Sequence, residues 1–286
     1  MVRKNLKQIF GVAKTEFIGW ITNPRVIIVG VLLIFIKTLA IEPLSSRAEK
    51  FGEKMIFFEP FIAVGNSGVL TMFIPLVFLV LMSDYPKLHG NALFFISRTG
   101  KRNWLAGQIL FLAAAAVTFL GVILLSSMIF SGGHFGTEWS DAVTKFNARF
   151  PNEASNFDSE LLPSNLYNQI PMLTAVVETF VLMGSYLLAL TLIIYLFKML
   201  FNNSSGLAAA LAVIALGIVT TSLYSNLRWA FPMANTIIWL HYTEILSAPI
   251  YPVWCSFAYF GVLLAALIFF NILALKKLKF TEAFEL

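Results

Sequence analysis

Residues 83–104 read SDYPKLHGNALFFISRTGKRNW, a polar and basic island between two long apolar runs, FIAVGNSGVLTMFIPLVFLVLM (61–82) and LAGQILFLAAAAVTFLGVILLSSMIF (105–130). Each run suffices to cross a hydrocarbon layer of about 30 Å, which takes roughly 20 helical residues. Within the island, Tyr85-Pro86 stops the preceding helix, because proline lacks an N–H and restrains its predecessor. Leu88, Ala92, Phe95 and Ile96 then recur at helical spacing, which predicts a short helix with one apolar face. Gly100 supplies a turn, and Lys101, Arg102 and Trp104 mark re-entry through a headgroup layer. An ordinary basic loop fits the same residues.

The rest of the chain has the same character. Of 286 residues 58% are hydrophobic and only 12% charged, where a soluble domain carries roughly a quarter charged residues. The mean hydropathy is +0.81. The expected fold is an all-α polytopic membrane protein with one transmembrane domain over 1–286. Its six spans are expected at 25–41, 61–82, 105–130, 171–197, 206–223 and 253–275. The net charge of +5 implies no nucleic-acid partner, since in such a chain the placement of charge matters more than its sum. The single cysteine, Cys255, permits no intrachain disulfide and no cysteine metal cluster. The first apolar run starts only at Val26 and no cleavage pattern follows it, so a cleaved signal peptide is not expected.

Residues 3–21 gather Leu6, Ile9, Phe10, Ala13, Phe17, Trp20 and Ile21 on one helical face, with Lys4, Lys7 and Lys14 outside it. Two readings fit: an interfacial helix lying on the anionic cytoplasmic leaflet, or an amphipathic helix packed on a partner. Asn23-Pro24 then turns the chain into the first span. On this layout most lysines and arginines fall on the side of the termini and of the 83–104 island, and most acidic residues fall on the opposite side. By the positive-inside rule both termini are cytoplasmic.

Between the fifth and sixth spans, 229–251 reads WAFPMANTIIWLHYTEILSAPIY, aromatic, interrupted by Pro232 and Pro249, and too short to cross twice. A pair of re-entrant helices in the outer leaflet fits it, as does an amphipathic helix on the outer surface. Trp229, Pro232, Trp239, His241 and Glu244 are its candidate site residues. The outer segment 131–170 carries Val143, Phe146, Phe150 and Phe157, enough for a small cap, and a solvated loop is the alternative.

The chain carries no catalytic signature. There is no GxxxxGK[ST] loop, and His89, His134 and His241 show no metal-ligand spacing, so neither a metal nor catalysis in this chain is expected. Charges within spans are costly and hence functional candidates, and Lys37 and Glu178 are the two. At about 1.5 Å per residue they lie at similar depths, which allows an ion pair between the first and fourth spans. Lys37 can instead extend to the outer headgroups, and Glu178 can face the bundle interior alone.

The basic N-terminal helix ending in Asn23-Pro24, the amphipathic segment with SRTGKRNW between spans two and three, and the broken stretch 229–251 together resemble the ABC-two-type permeases, the six-helix membrane subunits of bacterial ABC exporters. The resemblance covers nearly the whole chain and is one of architecture. It implies that residues 1–23 are the connecting helix, 85–97 the coupling helix and 229–251 the re-entrant outer helices. It further implies that a separate ATPase dimer, which binds the ATP and Mg, docks through Tyr85, Leu88, Ala92, Phe94, Phe95, Ile96, Arg98 and Arg102. A second permease subunit, identical or homologous, would complete the route in the bacterial cytoplasmic membrane. The expected function is outward movement of an amphipathic or lipid-like substrate such as a peptide, antibiotic or lipid conjugate. The content of 28 phenylalanines agrees with such cargo, and equally with a lipid-facing surface. Two other readings remain: a non-transporting immunity or sensor protein, and a secondary transporter that uses Glu178.

Overall fold

The computed structural model describes residues 2–87, 91–151, 161–201, 205–243 and 249–277. Among them the regular elements are all helices, and the one β-feature is an isolated bridge between Ile56 and His134. Five helices are long and apolar enough to cross a membrane, or six if one sharply bent pair counts as a single span.

The N-terminal helix α1 (Val2–Ile21) ends at Asn23, whose side chain accepts from the Arg25 N–H and caps the next helix, with Pro24 in its first turn. That helix, α2 (Pro24–Phe51), continues ten residues beyond the span end expected at 41. A wide π-type turn at Lys37–Ile41 precedes Pro43 and absorbs the ring and missing donor that would break a regular helix. Gly52, at φ 70°, closes α2 while the Glu53 N–H donates to Ala48 O, and this left-handed turn is where a glycine is needed.

The second apolar run is not one straight span. It forms α3 (Glu59–Asn66) and α4 (Leu70–Met82), which meet at 83° across a break of three residues. The span expected over 61–82 thus takes the form of a sharply bent helix pair, either a broken span or a re-entrant loop. Gly65, Asn66, Ser67 and Gly68 have weak helix propensity, and the broken backbone is held by tertiary bonds described below.

The short helix α5 (Asn91–Thr99) and Gly100 (φ 83°) lead into α6 (Lys101–Ser131). Helices α7 (Met172–Phe201), α8 (Ser205–Ser222) and α9 (Val253–Lys277) follow. Helix α7 is the axis of the bundle. It contacts α3, α4, α6, α8 and α9, and 56% of its most apolar stretch is buried, against 22–39% in the other four candidate spans. Those helices direct Ile27, Ile34, Val117, Leu125, Ile129, Val262 and Phe269 outward, an apolar exterior suited to lipid.

Beyond α6, short helices at Asp141–Thr144, Phe146–Arg149 and Ser164–Tyr167 pack as a cap on the end of α2. Val143 and Phe146 are buried, the Arg47 guanidinium lies 4.5 Å from the Phe146 ring centre, and Glu59 accepts from the Ser140 N–H at 2.8 Å. Of the cap residues singled out in the sequence, Phe157 lies outside the described residues.

Candidate functional site

Two buried polar networks occupy opposite ends of α7. They are centred on Tyr195 and Thr179, about 24 Å apart along the helix axis.

The first joins three helices through one glutamine. Gln108 is fully buried; its amide donates to Glu16 of α1 at 3.0 Å, and its carbonyl accepts from the Tyr195 hydroxyl of α7 at 2.9 Å. The approach of α1 to α6 that permits this is set at Gly107, where a Cβ would meet the Val12 Cβ at 2.7 Å and the Ile9 carbonyl at 2.9 Å. Asn103 adds a bond to Gln8 at 2.9 Å. Burial raises the Glu16 pKa, opposed by the Gln108 bond and the nearby Lys87 charge. Alongside, the Lys198 ammonium donates to the Asp84 carbonyl at 2.6 Å, and the Asp84 carboxylate pairs with Arg25 at 2.7 Å.

Tyr85 closes this end. It is fully buried, its ring centre 5.0 Å from that of Phe111 and 4.9 Å from the Lys87 ammonium, yet its hydroxyl has no hydrogen-bond partner. Burial first, then the Glu16 and Asp84 charges, raises its pKa. An interior tyrosine differs from the surface contact its position in the 83–104 island implied. Trp104, expected at a headgroup layer, is likewise fully buried. Of the remaining island residues, Ile96 is buried, Phe95 partly buried, and Arg98 and Arg102 exposed. Ala92 and Phe94 fall on α5 with side chains outside the description, as is Leu88 altogether. The apolar face of α1 divides: Ala13 and Trp20 are buried, as is Val12 beside it, whereas Leu6, Phe10 and Ile21 stay exposed. The buried residues face α6 of the same chain.

The second network surrounds the break between α3 and α4. Asn66 is fully buried and fully bonded: its amide donates to Ile62 O and Thr179 Oγ1, both at 2.9 Å, and its side-chain oxygen accepts from the Ile238 N–H at 2.7 Å. The Trp239 indole N–H donates to the Asn66 carbonyl at 2.7 Å. Gly65 is required beside it, because a Cβ there would collide with Thr179 Cγ2.

The segment that meets the break is the stretch expected to be re-entrant. Its described part comprises single helical turns at Asn226–Ala230, Pro232–Thr236 and Ile238–His241, rather than a pair of longer helices. Residues 233–238 are buried inside the protein, not laid on its surface as the amphipathic alternative required. The Trp229 ring stacks on Tyr251 at 4.2 Å, and His241 lies 4.9 Å from Trp229. The His241 Nδ1–H donates to the Tyr251 carbonyl at 2.7 Å, which leaves Nε2 unprotonated 3.4 Å from Ser256 Oγ. Ser256 in turn donates to Asn235 at 2.8 Å. Burial pushes the His241 pKa down to about 4, with the Tyr251 bond opposing and Arg228 adding to the shift. Glu244 lies outside the described residues.

The two intramembrane charges are not brought together. Lys37 pairs with Glu42 at 3.9 Å, both about half exposed, because the π-type turn between them brings residues five apart onto one side. Glu178 stands apart, one carboxylate oxygen buried without a partner.

Searching the spans for charge missed the residues that make both networks: Asn66, Gln108, Thr179, Tyr195, Asn235 and Ser256. Neutral polar groups inside apolar runs were the available signal. No family model, curated protein or solved structure matches the chain.

Proposed function

We propose that the chain is the membrane-spanning permease subunit of an ATP-driven exporter of the ABC-two type, in the bacterial cytoplasmic membrane with both termini cytoplasmic. A separate ATPase dimer that binds ATP and Mg docks at the island 83–104, and a second permease subunit, identical or homologous, encloses the route for an amphipathic or lipid-like cargo. The observation that carries this reading is the Glu16–Gln108–Tyr195 chain. Helix α5 contacts both α1 and α6, and the chain ties α1 and α6 to α7. Force applied at α5 thus reaches the central helix through hydrogen bonds as well as packing. The exposed Arg98 and Arg102 supply the ionic part of the docking surface.

Tagged protein drawn from its native membrane in mild detergent brings down an ATP-binding cassette subunit. The Arg98→Glu, Arg102→Glu double variant loses that subunit while keeping its thermal melting profile, whereas aspartate at the buried Ile96 would disturb packing as well. Recovery of the chain alone, with crosslinking from position 95 yielding no ATPase, overturns the proposal.

One observation favours a second reading. The unpartnered oxygen of Glu178 fits a proton-coupled secondary transporter, in which that carboxylate loads and releases a proton. Proteoliposome transport driven by a proton gradient without ATP, and lost in Glu178→Gln, would establish it.

A further inference from the structure

A cleft of about 560 Å³ opens beside the broken span. Gly68 and Val69 from the α3–α4 break and Met72 from α4 form one wall, and Ile218 and Thr221 from the end of α8 form another. Asn147 of the cap and Trp239 of the re-entrant stretch also line it. Its volume suits a drug-sized ligand or the head and upper chain of a lipid.

Three features set its chemistry. The wall is mainly apolar and aromatic, and no charged side chain is among its described lining residues. Two lining side chains, Asn147 and Thr221, each hold a buried oxygen with no hydrogen-bond partner. Turning one side-chain bond presents either oxygen to a ligand, the amide oxygen as acceptor and the hydroxyl as donor or acceptor. At the rim, the exposed Tyr224 ring adds an aromatic face, its φ of 50° closing the turn that ends α8, where the Ser225 N–H donates to the Thr220 carbonyl. An ionised ligand would find no counter-charge among these residues and would lose its hydration, whereas a hydroxyl gains two partners the protein leaves unused.

We infer that this cleft binds an uncharged amphiphile with a hydroxylated head, its hydroxyls on Asn147 and Thr221 and its chain across Val69, Met72 and Ile218. Such a molecule has two sources, a resident neutral lipid of the membrane or a cargo loaded from it. Occupancy needs no nucleotide and no ATPase, so its failure and the failure of the permease reading are separate results.

The probe is a monoacylglycerol brominated in its acyl chain, titrated into the full chain in phosphatidylcholine nanodiscs while tryptophan fluorescence is followed. Trp239 in the wall gives a saturable quenching component. Gly68→Leu fills the cleft, because the position has nothing within 4 Å of a Cβ, and should weaken that component more than tenfold without lowering the melting temperature. Thr221→Val removes one hydroxyl partner and should weaken it about fivefold. Brominated oleate and brominated lysophosphatidylglycerol should each bind at least tenfold more weakly. Mass spectrometry of lipid extracted from the purified chain separates the sources: a bound neutral hydroxylated lipid marks a resident, and an empty cleft that takes up the probe marks loaded cargo. Saturable quenching unchanged in Gly68→Leu, charged probes that bind as well as the neutral one, or quenching indifferent to Thr221→Val would each overturn the assignment.

Discussion

The two networks at the ends of α7 are built on opposite plans. At the Asn66 end, side chains bond mainly to backbone: Ile62 O, Ile238 N, Asn66 O and Tyr251 O are all partners. Interrupted backbone inside an apolar bundle leaves orphan N–H and C=O groups, and each orphan costs more than a bond contributes, so one asparagine holds the break shut. At the Gln108 end the bonds run from side chain to side chain between whole helices, and the Tyr85 hydroxyl beside them is unpaired. Helices with complete internal ladders do not need such bonds to exist. One network is a clamp on interrupted backbone, and the other is a linkage between whole helices.

The largest effect expected from that contrast is at the clamp. Asn66→Leu orphans the Ile238 N–H and strips Thr179 of its donor, and should cost roughly 3 kcal/mol, read as a fall in melting temperature in detergent and in yield of folded protein. A loss below about 1 kcal/mol would mean the break stands without its clamp.

Acid should open the same end. The His241 pKa lies at about 4 in the folded protein against 6.5 for a free histidine, so the unfolded chain takes up the proton first. The stability this neutral imidazole contributes is complete above pH 6.5 and is lost as pH falls from there towards about 4, up to roughly 3 kcal/mol. His241→Asn should flatten that limb of a melting-temperature profile against pH; an unchanged slope would assign the acid loss to other groups.

The linkage should respond less in stability and more in coupling. Gln108→Leu leaves Glu16 and Tyr195 each short of a partner and should destabilise by about 2 kcal/mol, and in the proposed complex with an ATPase the cargo-stimulated activity should fall further than the melting temperature explains. Equal losses in both would make Gln108 a packing residue. The smallest effect belongs to the half-exposed Arg25–Asp84 pair, where Arg25→Ala should cost less than about 1 kcal/mol and the difference should fade in high salt.

How much of this was legible in the sequence depends on range. Gly65, Asn66 and Gly68 lie near the start of the second run, but no break was expected from them and their local propensities do not set an 83° bend. That angle follows from Thr179, Ile238 and Trp239, which lie more than a hundred residues along the chain. Lys37 and Glu178 share a depth on paper, and the π-type turn gives Lys37 a nearer partner in Glu42. Trp104 carries the composition of a membrane interface and sits in the core, because α1 lies across the start of α6.

Length and hydropathy are local quantities, so the sequence by itself determined an all-α chain with five or six helices able to cross a membrane, an amphipathic N-terminal helix and a short helix in the island. Polar pairing inside an apolar bundle is a question of which helix faces which, to within an ångström, and periodicity carries no information about it. Only the tertiary structure joined Glu16 to Tyr195 through Gln108, closed the broken span on Asn66 and left the Glu178 and Tyr85 oxygens without partners.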